Sequence, residues 1–183
     1  SGVLLLVMSA GVVASARAQA QAETFTATAS VKSAADAAAK APVTIVVSRK
    51  MSQKEADSLT AAFKNGGASA LRKALTGVPA TGSVQLGGGK TTPTRMTLER
   101  PTEKGRLLTM VTDKPILFLG AGVPGAKAKD GYDFAIIDIE VNTEGAGAGT
   151  LSPAAKITVK NGAFVVDDYA SELVRLTDVK KVK

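Results

Sequence analysis

Lys156-Ile157-Thr158-Val159-Lys160-Asn161-Gly162-Ala163-Phe164-Val165-Val166 consists of two short β-prone runs on either side of an Asn-Gly pair. Both turn residues tolerate the positive φ that a two-residue type I′ turn demands, so the stretch predicts a β-hairpin. The same rhythm of short apolar or β-branched runs between turn formers spreads outward from it. It marks strands near 83–86, 94–100, 106–112, 116–119, 132–141 and 173–179. Such spacing predicts hairpins and an antiparallel sheet.

Further upstream, residues 24–31 alternate, placing Phe25, Ala27, Ala29 and Val31 on one face and hydroxyl residues on the other. Pro42 introduces a second, apolar strand at 43–47, and the Ala-rich residues 33–41 between the two read as a helical turn or loose connector. Ser52 and Glu55 have capping-box spacing and predict a helix start. Ala56, Leu59, Ala62 and Phe63 then share a face, and Asn65-Gly66-Gly67 supplies a stop. A second short helix at 68–76 presents Leu71, Ala74 and Leu75 and ends at Gly77, leaving Lys54, Lys64, Arg72 and Lys73 to solvent. Gly145 to Gly149 (GAGAG) reads as a flexible loop. The expected fold class is α+β: a mainly antiparallel β sandwich or partly closed barrel, with a helical hairpin at about 52–76 covering one opening or face.

At the start of the chain, Val3 to Ala14 is an apolar run, shorter than the roughly 20 residues a bilayer-spanning helix needs. Ala18-Gln19-Ala20 and Ala20-Gln21-Ala22 both fit a small-residue cleavage pattern. The expectation is a bacterial secretory signal peptide over 1–20, cleaved between about 16 and 22, then one globular domain over 23–183 with no transmembrane span. The sequence opens Ser1-Gly2 without an initiator Met or basic flank, so some residues are expected to precede it. The domain is expected in the periplasm or outside the cell.

Composition restricts the chemistry. The 183 residues include no Cys and no His, which removes disulfides, thiolate chemistry, the commonest general base and the commonest zinc ligand. Five Phe, two Tyr and no Trp offer few surfaces for stacking bases or sugars, and no nucleic acid is expected as a partner. Gly87-Gly88-Gly89-Lys90-Thr91 ends like a phosphate-binding loop, but Val84 stands where the first glycine belongs and Pro93 follows where a helix should begin. Gly120 to Gly125 formally matches a dinucleotide fingerprint, yet Pro124 interrupts the helix it requires. No cofactor is expected. Asp138 and Glu140 share a strand face, which is the arrangement a carboxylate-dependent hydrolase or a calcium site would start from, though it equally describes a solvated sheet.

Charge is the remaining clue. The net charge is +7, and it is uneven: residues 23–129 hold sixteen basic and seven acidic side chains, residues 130–183 six and nine. Arg95, Arg100, Lys104 and Arg106 cluster around Pro101 as a candidate anion-binding patch. In an exported protein such a patch points to an anionic envelope component: lipid headgroups, wall polymer or an acidic protein. The expected function is a non-catalytic binding, accessory or structural module; the alternatives are the carboxylate-dependent hydrolase and a carrier of an apolar ligand inside the barrel.

Overall fold

The alternating run at 24–31 forms the first strand of a closed barrel in the computed structural model of the chain, which describes residues 21–32, 38–116, 130–160, 163–168 and 174–183. In chain order the elements are β1 (Glu23–Lys32), β2 (Ala38–Val47), α1 (Gln53–Thr76), β3 (Gly82–Leu86), β4 (Thr92–Thr102), β5 (Gly105–Thr112), β6 (Phe134–Val141), β7 (Ala146–Lys160), β8 (Ala163–Asp168) and β9 (Val174–Lys181). Each strand from β1 to β6 pairs antiparallel with the next. β6 then pairs with β7, β7 with β9, and β9 returns to β1. Eight strands thus close on themselves, and the sandwich arm of the expectation is corrected to a single closed sheet. Closure leaves no free edge around the wall. Among the described strands only β8 lies outside the cycle, paired with the far half of β7 from Lys160↔Ala163 onward, as the Asn161-Gly162 signal requires of its flanks.

The interior is filled. Phe25, Ile45, Val84, Leu108, Ile137, Leu151 and Leu176, from seven different strands, meet in one cluster and are each at most 1% exposed. An eight-stranded barrel is just wide enough for this. β4 contributes hydroxyls instead: Thr94 and Thr97 are buried, and both bond Thr81, with Thr97 Oγ1 donating to Thr81 Oγ1 at 2.8 Å.

Two stretches differ from expectation. Ala38 to Ala41 belong to β2, where Lys40 pairs with Ser30 and Ala41 with Ala29; register with β1 overrides the weak strand propensity of Ala. The GAGAG run is not a loop, because only Gly145 (φ 82°) sits in the turn and β7 begins at Ala146. Gly147 and Gly149 alternate with Ala148 and point inward in step with Leu151, opposite Val141 and Ile139. A Cβ on Gly147 would lie 1.8 Å from the Glu140 carbonyl oxygen, and one on Gly149 2.1 Å from that of Asp138. The glycines therefore permit a close approach of β6 and β7. The expected strand at 116–119 falls mostly outside the described residues, as do the leader and Gly120 to Gly125.

α1 is one helical element interrupted at Gly67, whose φ of 67° and ψ of −159° are not helical. A straight helix of this length would span roughly 36 Å. Instead both ends come back to β4: Met51 N donates to Thr97 O, and Arg95 Nη1 donates to Val78 O. The capping box is complete, with Ser52 Oγ accepting from Glu55 N and Glu55 Oε2 accepting from Ser52 N. Leu59 and Phe63 before the break, and Leu71 and Leu75 after it, pack on the outward side chains of Val111, Phe134, Ile136 and Ile157. The helix thus covers one outer wall of the barrel.

Candidate functional site

One end of the barrel is formed by the start of β1, the β4–β5 and β6–β7 turns and the end of β9. The inward side chains there should be apolar if they only continued the core. They are not. Glu23 keeps the parity of Phe25 and Ala27 and so turns inward opposite Val47. Glu99 stands opposite Leu108, and Arg106 opposite Val141. A register slip on β9, where Asp178 adopts a φ of 53°, sets Lys181 opposite Phe25.

These four groups form one network. Arg106 meets Glu23 with both guanidinium nitrogens, Nη2 donating to Oε1 at 2.7 Å and Nη1 to Oε2 at 3.1 Å. Lys181 Nζ also donates to Glu23 Oε1 at 2.7 Å. Arg106 Nη1 reaches Glu99 Oε2 at 2.9 Å, and Lys50 Nζ approaches the same oxygen at 2.7 Å. The Arg106 hydrogen bonds, opposed by partial burial and joined by Lys181, hold the Glu23 carboxyl down at about 2, from an ordinary value of 4.5. Burial works against Glu99, but hydrogen bonds from Lys50 and Arg106 prevail and lower it too. Arg106 is raised in turn, chiefly by its bond to Glu23.

Above this layer opens a recess of about 550 Å³. Arg49, Lys50, Arg106, Lys181 and Lys183 line it together with Glu23, and the first four of these cations are ion-paired to Glu23, Glu55 or Glu99. Arg49 is anchored by Glu55 at 2.9 Å, so the helix cap and the mouth share a residue. Cations in excess of carboxylates, two of them (Arg106 and Lys181) on barrel strands, are suited to holding an anion.

The sequence-predicted patch is divided by the fold. Arg106 enters the mouth network. Arg95 turns to the helix side, where its Nε donates to Asp113 at 3.0 Å. Arg100 and Lys104 share a shallow recess on the β4–β5 turn with Glu103 and Glu140. The carboxylate pair takes the outer wall of β6, with Asp138 accepting from Thr109 Oγ1. Among the described residues no group of three or more acidic side chains is arranged to hold a metal.

No known protein family, curated protein or solved structure matches the chain. The reading of this site therefore rests on its own geometry. Sequence reasoning missed Glu23, Lys50 and Glu99. The signal available was the parity of Glu23 with Phe25 and Ala27, which puts a charge on the core face of a strand.

Proposed function

We propose that this chain is an exported envelope protein whose barrel domain is a non-catalytic binding module, taking an anionic partner at the mouth closed by Glu23 and Arg106. The observation that carries the reading is the set of five cationic side chains lining the recess, which exceeds by two the carboxylates of Glu23, Glu55 and Glu99 that pair with them. The filled interior supports an end of the barrel over the lumen as the place of binding. Export is supported by the apolar run Val3 to Ala14 and the two overlapping cleavage patterns behind it. With no His or Cys in the chain, and Asp138 and Glu140 on the outer wall, binding is better supported than hydrolysis.

The test of binding is thermal denaturation in citrate or phosphate against chloride at equal ionic strength. A ligand held by the folded state alone raises the melting temperature as its concentration passes the dissociation constant. The rise should be lost in Lys50→Ser/Lys183→Ser, and equal rises in both proteins would contradict the reading. N-terminal sequencing of the exported protein tests the compartment, with a start between Arg17 and Glu23 expected and an intact leader on cytoplasmic material contradicting it.

A further inference from the structure

Among the described residues no element covers the wall opposite α1, and its outward positions have a definite chemistry. Along β1 every outward side chain from the mouth to Ser30 is a hydroxyl: Thr24, Thr26, Thr28 and Ser30. Register places Lys180 beside Thr26, Thr177 beside Thr28, and Arg175 on one side of Ser30 with Lys40 on the other. Lys40, Arg175 and Lys180 are exposed, and none has an ion-pair partner among the described residues. Their one acidic neighbour on the described parts of these strands, apart from Glu23 in the mouth, is Asp178 at the β9 bulge. Lys180 adjoins Lys181, so this wall begins where the mouth ends.

We infer that the partner is an extended acidic glycan polymer that leaves the mouth and runs along the β2-β1-β9 wall. This rests on the anionic reading of the mouth and names the class of ligand. Lys180 and Arg175 are roughly 15 Å apart along β9, and Lys40 lies about 10 Å from Arg175 across two strand spacings. A small anion bridges neither gap, whereas a chain with a charge on each unit meets all three cations in succession. The threonine and serine hydroxyls between them donate to and accept from sugar hydroxyls. Recognition here is by charge and hydrogen bonding without aromatic stacking, so a neutral glycan does not bind. Of the exposed large apolar side chains among the described residues, Val166 lies on β8 and Val182 stands beside Thr24 at the mouth edge of this wall, and a single valine gives a bilayer little to embed.

The experiment is binding of the full domain to polygalacturonate, to monomeric galacturonate, to dextran and to phosphatidylglycerol vesicles. Three proteins are compared with wild type: Lys40→Ser/Arg175→Ser/Lys180→Ser on the wall, Lys50→Ser/Lys183→Ser at the mouth, and Lys54→Ser/Lys64→Ser/Lys73→Ser on the helix. The helix variant has the same net charge as the wall variant, which separates position from total charge. The wall variant should lose about tenfold in affinity for the polymer and keep its affinity for the monomer, while the helix variant changes less than about twofold. The mouth variant should lose both ligands. Equal losses in the wall and helix variants, or vesicle binding without polymer binding, would overturn the inference while leaving the mouth intact. Failure of wild type to bind either uronate would overturn the mouth reading and this inference together.

Discussion

Arg106 and Glu23 are 83 positions apart in sequence and meet through two hydrogen bonds of 2.7 and 3.1 Å at the barrel mouth. The pair joins β5 to β1 across the opening, which no backbone hydrogen bond does, since those strands are not neighbours in the sheet. It also fixes the guanidinium where Glu99 and the recess can both use it.

The first consequence is a pH dependence of folding. With its folded value near 2 against an ordinary 4.5, Glu23 resists protonation in the fold while the unfolded chain takes the proton. Its contribution is therefore complete above about pH 4.5 and is lost as pH falls toward 2, with Glu99 shifted in the same direction. Urea denaturation of Glu23→Gln is expected to show about 2 kcal/mol lower stability at neutral pH and a shallower loss between pH 4.5 and 2.5. A wild type whose stability stays flat over that window would refute the coupling.

A second expectation concerns the glycines of β7. Gly149→Ala would set a Cβ 2.1 Å from the Asp138 carbonyl oxygen, so β6 and β7 must separate along a paired stretch of the barrel wall. The cost should be on the order of 2–4 kcal/mol, comparable to overpacking a core. Ala148→Ser, one residue away and exposed on the outer face, should change stability by less than about 0.5 kcal/mol. Similar effects of the two substitutions in thermal denaturation would show that the run is a loop after all.

How far the sequence discloses this protein depends on whether a local signal or a register decides. The capping box at Ser52 and Glu55, the break at Gly66-Gly67 and the Asn161-Gly162 flanks are local, and they can be read directly. Closure depends on the last strand, β9, pairing with both β7 and the first strand, β1. No single residue announces it. The mouth was hidden for a related reason. Strand bulges, between Thr94 and Met96 on β4 and near Asp178 on β9, reverse the in-out parity, so Arg95 and Arg106 end on different surfaces and Lys181 turns inward. Clustering Arg95, Arg100, Lys104 and Arg106 by sequence proximity could not anticipate that division.

The helix cap gives a third expectation. Ser52→Ala removes the acceptor for Glu55 N and frees the carboxylate that anchors Arg49, at a cost of about 1 kcal/mol. Because Arg49 lines the mouth, the variant should also bind citrate or phosphate differently from wild type, in a titration followed by melting temperature. Unchanged stability would mean that the cap contributes nothing to the fold.

The central claim is that an anion enters the barrel mouth, and residue-resolved NMR tests it most directly. A titration of labelled protein with galacturonate at low ionic strength is expected to shift the amides of Glu23, Thr24, Ser48 to Lys50, Arg106 and Lys181 to Lys183, and to leave those of Arg95, Asp113 and α1 beyond its first turn in place. The shifts should weaken as salt rises, since exposed charges are screened beyond about 8 Å at physiological ionic strength. Shifts confined to Arg100, Lys104 and Glu140, or none at any attainable concentration, would contradict the account.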